Sequence, residues 1–411
     1  MTEQKPGVLV LENGFIAFFL DPFMSANGYG LAMTSLLSLF DAVTKPQQKI
    51  TDLVASLLAW FARDARDLPW RRTHDPYAIW VSEIMLQQTQ VKTVIPYWER
   101  WMQALPTIAA TVAAPSDQIH KLWEGLGYYT RVRNLQKAAQ VIVARHDGKF
   151  PENYDSVLAL PGIGRYTAGA ICSIAFDQPT PILDGNVIRV LTRLFAIAEN
   201  PKDKATNTRL WHLAEQLVQQ ASLSPPRAQS PKPKASFLNQ SLMELGALIC
   251  TPRQPQCLLC PVQGACEAFR QQRTEELPNL GKRIASTARQ FMAFVVESRG
   301  HVLVRQRPTG VVNAHLWEFP NLETTGHNPD PGVVFQTEFG VKPSELKSLC
   351  VVKHSITRYR MTLTAYVATV ARRPAKPTGN WVKLDQLPSL AFTAAHKRLA
   401  SAAAKSILSG Q

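Results

Sequence analysis

Four of the six cysteines in this 411-residue chain lie in one short stretch, CTPRQPQCLLCPVQGAC, at residues 250–266. They follow the spacing Cys250-x6-Cys257-x2-Cys260-x5-Cys266. Thiolates gathered in this way bind zinc or an iron–sulfur cluster. Zinc ribbons usually carry two Cys-x2-Cys pairs and only one is present here, whereas one loop of this length can surround a compact cluster. The spacing predicts a metal centre and leaves both kinds open.

Two carboxylates stand in sequence contexts that favour opposite protonation states. Glu83, in WVSEIMLQQTQV, lies between Trp80 and Ile84 on a predicted helix, where burial would raise its pKa and keep it protonated near neutral pH. Asp184, in PILDGNVIRV, precedes a glycine turn at the start of a helix, so its side chain could project into a cleft. Such a pair suits cleavage of a glycosidic bond, in which the leaving group takes a proton and the sugar becomes cationic. The simpler alternatives are a solvated helix face for Glu83 and a helix N-cap for Asp184.

A glycine turn in ALPGIGRYTAGAI, residues 159–171, joins two helical patterns. Gly162 and Gly164 permit backbone conformations that other residues resist, and they leave N–H groups exposed at the start of the next helix. Such groups bind anions such as phosphate. The run from Leu160 to Gly164 resembles the hairpin of helix–hairpin–helix DNA-binding modules, although many short glycine turns only connect helices.

The elements that must position these motifs change character along the chain. From residue 48 to about 220, apolar residues recur every three to four positions, as in TDLVASLLAWFARD, and predict helices. After about 285, alternating runs such as RQFMAFVVESRGHVLVRQRP predict strands around a glycine turn. The predicted fold is a mostly α region followed by an α+β domain. The predicted divisions are an N-terminal extension at 1–47 (in which Met33 could be the true start), the helical region at 48–271, a linker at 272–286 and the α+β domain at 287–411.

The net charge of +14 indicates a polyanionic partner, and nucleic acid is the first candidate, with simple solubility as the alternative. The apolar N-terminal stretch VLVLENGFIAFFL is interrupted by Glu12 and Asn13 and is too short to span a membrane. We therefore expect a cytoplasmic protein that does not bind membranes.

Six motifs in order carry a family resemblance. They are LPWR (68–71), SEIMLQQTQV (82–91), GLGYYTRVRNL (125–135), LPGIG (160–164), ILDGNV (182–187) and the cysteine spacing. Together they resemble the MutY-type adenine DNA glycosylases of the endonuclease III superfamily, closely over residues 50–285 and loosely beyond. The resemblance implies a helix–hairpin–helix glycosylase with two helical lobes and a [4Fe–4S] cluster on the loop 250–266. It also implies a monomer associated with the nucleoid, which hydrolyses the N-glycosidic bond of adenine mispaired with 8-oxoguanine or guanine in double-stranded DNA.

The resemblance assigns roles to four catalytic positions. Glu83 is the acid that protonates adenine N7 and then helps to activate water. Asp184 stabilises the oxocarbenium ion, and Asn186 orients Asp184. Tyr166 occupies the position where bifunctional relatives carry a nucleophilic lysine, and a phenol cannot form a Schiff base with the abasic sugar. The resemblance therefore implies base excision without efficient strand nicking.

Further positions are implied to contact DNA, because adenine must leave the base stack before it can be attacked. Trp70 and Arg71 resemble residues that line the adenine pocket, and Gln240 resembles one that faces the base. Wedging into the duplex is implied for Gln87 and Gln88, and stacking beside the opposite base for Tyr128. Phosphate contacts are implied for Arg253 and Arg270. For the aromatic residues, burial in a helical core is the simpler alternative.

The C-terminal region resembles Nudix-like domains through RQRPTGVVNAHLWEFPNLE, residues 305–323. In the glycosylase family such a domain reads 8-oxoguanine opposite the target adenine. The glutamate-rich box that binds magnesium in Nudix hydrolases is not visible after Pro320, which predicts recognition without hydrolysis. The stretch HSITRYRMTL aligns with the family's Phe-Ser-His triplet but has Ile356, Thr357 and Arg358. Thr357 could donate a hydrogen bond and Arg358 could contact phosphate or the lesion, which leaves the strength of the 8-oxoguanine preference open.

Three other functions fit parts of the sequence. A bifunctional endonuclease III-like glycosylase and lyase for oxidised pyrimidines is disfavoured by the absence of lysine at position 166 and by the C-terminal domain. A nucleotide pyrophosphohydrolase is disfavoured by the missing metal box. A non-catalytic iron–sulfur DNA-binding protein would tolerate loss of Glu83 and Asp184.

Overall fold

The computed structural model describes residues 8–10, 16–18, 47–223, 234–281, 285–324, 329–356, 358–375 and 378–408. The predicted recognition residue Thr357 and the predicted alternative start Met33 lie outside the described residues. Near the N-terminus, the short strands β1 (Val8–Val10) and β2 (Ile16–Phe18) pair in an antiparallel hairpin.

Helices dominate the chain from residue 47 to residue 270. They are α1 (47–64), α2 (Pro76–Leu86), α3 (Val91–Ala104), α4 (Ile108–Ala113), α5 (Ser116–Leu122), α6 (Thr130–Arg145), α7 (Tyr154–Leu158), α8 (Arg165–Phe176), α9 (Gly185–Leu194), α10 (Lys204–Leu223), α11 (Lys234–Leu248) and α12 (Glu267–Arg270). Short 3₁₀ helices occupy Pro69–Arg71, Cys257–Leu259 and Gln263–Ala265.

Two apolar cores divide these helices into two lobes. The first core lies among α2 to α8 and contains the buried rings of Trp101 and Trp123. The second lies among α1, α9, α10 and α11 and contains Leu217. Both α2 and α8 border both cores, since Ile79 and Ala170 pack into the second. Side chains on α2 and α8 can therefore meet others at the boundary between the lobes.

Helix α2 is buried on almost every face, which decides the environment of Glu83. Its N-terminus is capped by Asp75, whose carboxylate accepts hydrogen bonds from the backbone N–H groups of Tyr77 and Ala78, and Pro76 holds the first position. The residues from Tyr77 to Met85 are all buried. A helix with no solvated stripe places even a glutamate in apolar surroundings.

The C-terminal region forms a seven-stranded mixed sheet. Its strands are β3 (Thr287–Ser298), β4 (His301–Gln306), β5 (Trp317–Glu318), β6 (Asn321–Thr324), β7 (Glu345–Ile356), β8 (Tyr359–Thr369) and β9 (Asn380–Lys383). The main path is β5-β4-β3-β8-β7, in which β3 and β8 are parallel, and β6 and β9 pair with β3 and β4.

One helix covers each face of this sheet. Helix α14 (Ala394–Leu408) packs on a core that contains Phe319, and α13 (Pro331–Phe339) packs on a second core around Phe294. The predicted fold class, a mostly α region with two lobes followed by an α+β domain, is confirmed.

The stretch between the two regions runs from the end of α12 at Arg270 to the start of β3 at Thr287. The domain divisions drawn from the sequence stay predictions. In the part of the chain that the structure describes, no helix combines the length and the apolarity needed to cross a lipid bilayer.

Candidate active site

Glu83 and Tyr166 face each other across the boundary between α2 and α8. The hydroxyl of Tyr166 donates a hydrogen bond of 2.9 Å to Oε2 of Glu83, and its oxygen also lies 3.2 Å from Sδ of Met243 on α11. Glu83 is only 4% exposed. Burial and the nearby charge of Asp184 raise the pKa of Glu83 to about 7, although the bonds to Tyr166 and the charge of Arg71 oppose this shift. A carboxyl with this pKa can give and take a proton at neutral pH.

Asp184 is held at the N-terminus of α9 with its carboxylate fixed on both oxygens. Oδ1 accepts the backbone N–H of Val187 at 2.7 Å, and Oδ2 accepts the amide of Asn186 at 3.0 Å. The N-cap alternative is thus correct as geometry, and it leaves the carboxylate within electrostatic reach of Glu83 and Tyr166. Burial raises the pKa of Asp184, while its hydrogen-bond donors and the charge of Arg189 favour the ionised form.

A buried arginine connects this carboxylate to the cysteine loop. Arg189 on α9 donates to Oδ1 of Asn186 at 2.8 Å and to the carbonyl oxygen of Gly246 at 2.8 Å. Its Nε donates to the carbonyl oxygen of Cys250 at 2.7 Å. At Gly246 a Cβ atom would meet Cβ of Asn186 at 2.7 Å, so only glycine lets α11 approach α9 this closely. Sequence reasoning missed Arg189, because its partners are mostly about sixty residues away in the chain.

The four loop cysteines line one pocket beneath α9 and α11. Arg193, 1% exposed, lies beside them and donates to the carbonyl oxygens of Thr251 and Leu277 at 2.7 and 2.9 Å. Its Nη1 lies 3.3 Å from Sγ of Cys250. Across the described ranges, no group of three or more His, Cys, Asp or Glu side chains converges enough to hold a single metal ion. Burial raises the pKa of Cys257 and Cys266, and raises that of Cys260 to about 12, while the charge of Arg193 opposes the shift at Cys257.

Arg71 lies within electrostatic reach of Glu83, and both Arg71 and its neighbour Trp70 have partners within the protein. Arg71 donates to Oε2 of Glu244 at 3.0 Å, and Arg66 binds both Glu244 oxygens at 2.7 Å. Burial raises the pKa of Glu244, but the bonds from both arginines outweigh burial and lower it to about 2. Trp70 is buried against Trp98 with ring centroids 6.1 Å apart. Sequence reasoning missed Glu244 and Arg66, because the two residues are 178 positions apart in the chain and only the structure brings them together.

Gln240 lies on α11 one turn before Met243, and it is 8% exposed. Its amide donates to Oγ of Ser236 at 3.0 Å. Gln240 and Met243 share a helix face, and Met243 touches Tyr166. The structure thus places Gln240 on the helix face that borders the Glu83 and Tyr166 pair.

The predicted wedge residues Gln87 and Gln88 occupy one loop, and the predicted stacking residue Tyr128 occupies another. Gln87 ends α2 and donates to Oγ1 of Thr167 at 3.3 Å, while exposed Gln88 has a positive φ of 57°. Tyr128 is 47% exposed and also has a positive φ, of 48°. Non-glycine residues adopt this conformation only when their surroundings enforce it.

Arg131 connects these two loops through hydrogen bonds. Sequence reasoning did not identify this residue. Its guanidinium donates to the carbonyl oxygens of Ile84 and Met85 in α2, and to those of Leu126 and Gly127 beside Tyr128, at 2.9–3.1 Å. Burial lowers the pKa of Arg131 to about 10, so the side chain stays charged at neutral pH.

The glycine hairpin lies between α7 and α8. Gly162 has a φ of 78°, and a Cβ there would meet Cβ of Asn134 at 2.6 Å. Gly164 precedes α8 without a side-chain cap, and a Cβ there would meet open space. Leu160 is buried beneath the turn. The N–H groups at the start of α8 are therefore open to solvent and to an anion.

In the sheet domain, Arg358 sits at the tip between β7 and β8. It is exposed, and its guanidinium donates to the hydroxyl of Tyr359 at 3.0 Å. The guanidinium of Arg289 lies 5.3 Å from the same ring. An aromatic ring flanked by two cations is thus present one residue beyond the predicted triplet, and sequence reasoning missed it.

The loop arginines are placed on the surface. Arg253 is exposed beside the cysteine pocket, and Arg270 pairs with Glu267 on the short helix α12. Both remain available to an anion, although Arg270 is already partly neutralised.

Comparison with known proteins agrees with this fold. Residues 81–216 match the family described as HhH-GPD superfamily base excision DNA repair protein, and residues 292–402 match the NUDIX domain family. A helical two-lobed region with a buried acid at the lobe boundary, followed by a Nudix-like domain, defines a DNA glycosylase of the base excision repair class, whose macromolecular partner is DNA.

The more particular relationship comes from whole-chain similarity. The adenine DNA glycosylase of Rattus norvegicus is 34% identical over 437 residues, covering 90% of this chain and 82% of the relative. That of Arabidopsis thaliana is 40% identical over 306 residues, covering 65% of this chain and 46% of the relative. A solved thermostable thymine-DNA glycosylase is 30% identical, covers 55% of this chain and 98% of its own, and has a TM-score of 0.48. The chain belongs to the adenine DNA glycosylase family, so the resemblance read from six motifs is confirmed.

Proposed function

We propose that this protein excises adenine paired with 8-oxoguanine or guanine in double-stranded DNA, by hydrolysing the N-glycosidic bond. The observation that carries the proposal is the buried Glu83, whose pKa of about 7 places a proton donor beside the half-buried carboxylate of Asp184. Glycosidic cleavage requires an acid and a carboxylate in unlike environments.

The chemical steps follow from these two groups. Glu83 donates its proton to N7 of the extruded adenine, and the bond between N9 and C1′ breaks with its electron pair passing to the base. The sugar carries the resulting positive charge, and the Asp184 carboxylate, oriented by Asn186, stabilises it. Glu83, now ionised, accepts a proton from the attacking water, whose oxygen bonds to C1′. The product is free adenine and an abasic site, and Glu83 is protonated again.

Tyr166 supports a hydrolytic outcome without strand nicking. Its hydroxyl points at Glu83, and no amine occupies that position to form a Schiff base with the sugar. This arrangement disfavours the alternative of a bifunctional lyase for oxidised pyrimidines.

Adenine recognition is proposed for the pocket wall around Glu83. The 3₁₀ helix that carries Trp70 and Arg71 would close one side, and the α11 face with Gln240 would close the other. The hydrogen bond from Arg71 to Glu244 would hold the guanidinium in place before adenine arrives.

DNA is proposed to be held at three places. The open N–H groups after Leu160, Gly162 and Gly164 would bind a phosphate. The loops that carry Gln88 and Tyr128 would enter the base stack, Gln87 and Gln88 as the wedge and Tyr128 as a stacking ring beside the opposite base. Arg253 and Arg270 add positive charge at the cysteine loop, in keeping with the net charge of +14.

A [4Fe–4S] cluster is the proposed occupant of the pocket lined by Cys250, Cys257, Cys260 and Cys266. The donor set fits a cluster, since four thiols from one loop line a single pocket and only one Cys-x2-Cys pair is present, whereas zinc ribbons usually carry two. When bound, the cluster would contribute structural cross-linking of the loop. Arg193 and Arg189 would tie that loop to the helix that carries Asp184.

The Nudix-like domain is proposed to read 8-oxoguanine without hydrolysing nucleotides. Its hairpin tip offers Arg358 as a donor for phosphate or lesion, and Thr357 remains a proposed donor. We place the glycosylase region at 48–271, the linker at 272–286 and the recognition domain at 287–411. The protein is proposed to act as a monomer in the cytoplasm, associated with the nucleoid.

Single-turnover assays on duplexes with adenine opposite 8-oxoguanine, guanine, cytosine or thymine test the proposal. We expect release of free adenine from the first two duplexes, with the strand breaking at the abasic site only after alkali. Strand nicking without alkali on an oxidised pyrimidine, with no adenine release, would establish the lyase alternative instead.

A further inference from the structure

Glu124 lies where the sheet domain meets the first helical lobe. Its side chain is 5% exposed. Oε1 accepts the backbone N–H of Phe392 at 3.1 Å, and Oε2 accepts Nζ of Lys397 on α14 at 2.7 Å. Lys121 binds the same oxygen at 2.9 Å and donates to the carbonyl oxygen of Leu390 at 3.1 Å. One buried carboxylate of the helical region is therefore held by two groups of the sheet domain.

Apolar burial shows that this contact is part of a packed interface. Leu316 and Ala391 of the sheet domain are buried within the core of the first lobe. The guanidinium of Arg133 on α6 donates to the carbonyl oxygen of Ala314 at 3.2 Å. A buried ion pair inside such packing is costly to break from one side, because the partner charge stays buried.

Glu124 also begins the loop that carries Tyr128. Its own carbonyl oxygen accepts the hydroxyl of Tyr97 at 2.7 Å. The next residue, Gly125, has a φ of 107°, and a Cβ there would meet the Tyr97 hydroxyl at 2.3 Å. Leu126 then returns its N–H to the carbonyl oxygen of Trp123 at 3.1 Å. The path of the loop from Glu124 to Tyr128 is therefore fixed at its first residue.

Arg131 continues the connection to the catalytic helix. Its guanidinium binds carbonyl oxygens of Leu126 and Gly127 and also those of Ile84 and Met85, the two residues that follow Glu83. Sheet domain, Glu124, Tyr128 loop and α2 thus form one contiguous set of hydrogen-bonded contacts.

We propose that Glu124 is a positioning residue through which the docked sheet domain holds the Tyr128 loop in its duplex-entering conformation. This inference rests on the proposed function. If the sheet domain reads the lesion, the effect would reach the adenine site through the contact between Glu124 and Lys397. Residues on the two sides of a rigid contact network can bias one another in this way when the network has two arrangements.

Hydrogen exchange on the full-length protein tests the contact without using activity. Lys397→Met removes a half-exposed lysine that belongs to the other domain and has no place in the active site. We expect the peptide that covers residues 125–129 to exchange about three- to tenfold faster in this variant. Lys347→Met, which removes an exposed lysine paired with Glu345 on the same sheet, is the control and should leave that peptide unchanged.

The lesion preference of adenine release provides a second readout, which simple loosening of the interface would not change. The ratio of single-turnover rates opposite 8-oxoguanine and opposite guanine should fall toward one in Lys397→Met. In a double-mutant cycle, Glu124→Gln combined with Lys397→Met should lower that ratio no further than the single variants do.

Hydrogen exchange and adenine release together distinguish failure of this inference from failure of the proposed function. Unchanged exchange at residues 125–129 in Lys397→Met overturns the inference, whatever the enzyme does. If exchange rises and the wild type shows adenine release without lesion preference, the mechanical coupling stands and lesion reading is overturned. If exchange rises and the wild type releases no adenine, the coupling stands and the proposed function fails.

Discussion

Glu83 shows how far single residues could be predicted. Its burial could be predicted from the apolar residues around it in the sequence, because a helix with no polar stripe has no solvated face. Its neighbour Arg71 has Glu244 as a partner 173 residues away, and Arg66 reaches the same carboxylate across 178 residues. No local pattern announces a pair at that separation. The buried carboxyl was therefore predictable, and the hydrogen-bond network that fixes Arg71 was not.

The protonation of Glu83 predicts the pH dependence of the reaction. Because the acid acts in its protonated form and its pKa is about 7, adenine release should fall above that pH, about tenfold per pH unit. At lower pH the rate should fall again as the Asp184 carboxylate, whose pKa burial raises, takes up a proton. Single-turnover rates measured from pH 5.5 to 9 give the profile. A rate that stays level up to pH 9 contradicts the assignment.

Tyr166 should tune this profile in a definite direction. Its hydroxyl donates to Glu83 and so favours the ionised form, which lowers the pKa of Glu83. Tyr166→Phe removes that bond, and the midpoint of the pH profile should move to higher pH. Met243→Leu, which alters the other neighbour of the hydroxyl, is the matched comparison and should leave the midpoint closer to that of the wild type. A downward shift in Tyr166→Phe would show that the hydroxyl does not act on Glu83 as its donor.

At the scale of elements, the sequence predicted which helices and turns form better than it predicted which of them contact one another. The cap of α2 at Asp75, the hairpin at 160–164 and the N-terminus of α9 at Asp184 all follow from residue types that have local preferences. The positive φ values at Gln88 and Tyr128 do not, because both loops are held by Arg131, which lies near Tyr128 in the chain but 44 residues from Gln87. Elements were predictable where propensity decides them, and loops were not where a distant side chain decides them.

The two hairpin glycines should respond differently to alanine. Gly162→Ala places a Cβ against Asn134 at a positive φ, and should lower the free energy of unfolding by about 1–3 kcal/mol. Gly164→Ala adds its methyl group in open space at an ordinary φ and should keep the stability within about 0.5 kcal/mol of the wild type. Denaturant unfolding checks both values.

Gly164→Ala, which should hardly change the stability, should instead weaken DNA binding. The methyl group at position 164 would stand where a phosphate approaches the first N–H groups of α8, so Gly164→Ala should weaken binding to duplex DNA several-fold while remaining folded. Wild-type affinity in Gly164→Ala, measured at the same salt concentration, would remove the hairpin from the DNA contact.

At the scale of the whole molecule, a buried arginine pair joins the cysteine loop to α9, the helix that Asp184 caps. Arg189 and Arg193 lie one turn apart on α9 and both bind backbone carbonyl oxygens of residues 250–252. The cysteine spacing predicted a centre on this loop. It did not predict that the loop is attached to the helix that begins at Asp184.

Metal content tests this attachment. We expect the purified protein to contain about four iron atoms and four acid-labile sulfides per chain. Arg193→Met leaves buried carbonyl oxygens unpaired, which should cost about 2–4 kcal/mol of stability and lower the iron content. Arg253→Met changes an exposed arginine of the same loop and should retain the iron. Zinc in place of iron, or full iron retention in Arg193→Met, contradicts the account of the loop.

The central claim is that Glu83 as an acid and Asp184 as a carboxylate together release adenine. The most direct measurement is single-turnover adenine release at pH 7 from a duplex with adenine opposite 8-oxoguanine, by the wild type, Glu83→Gln and Asp184→Asn. Both variants should bind the duplex as the wild type does and release adenine at least about 100-fold more slowly. A folded Glu83→Gln protein that releases adenine at the wild-type rate would contradict the claim.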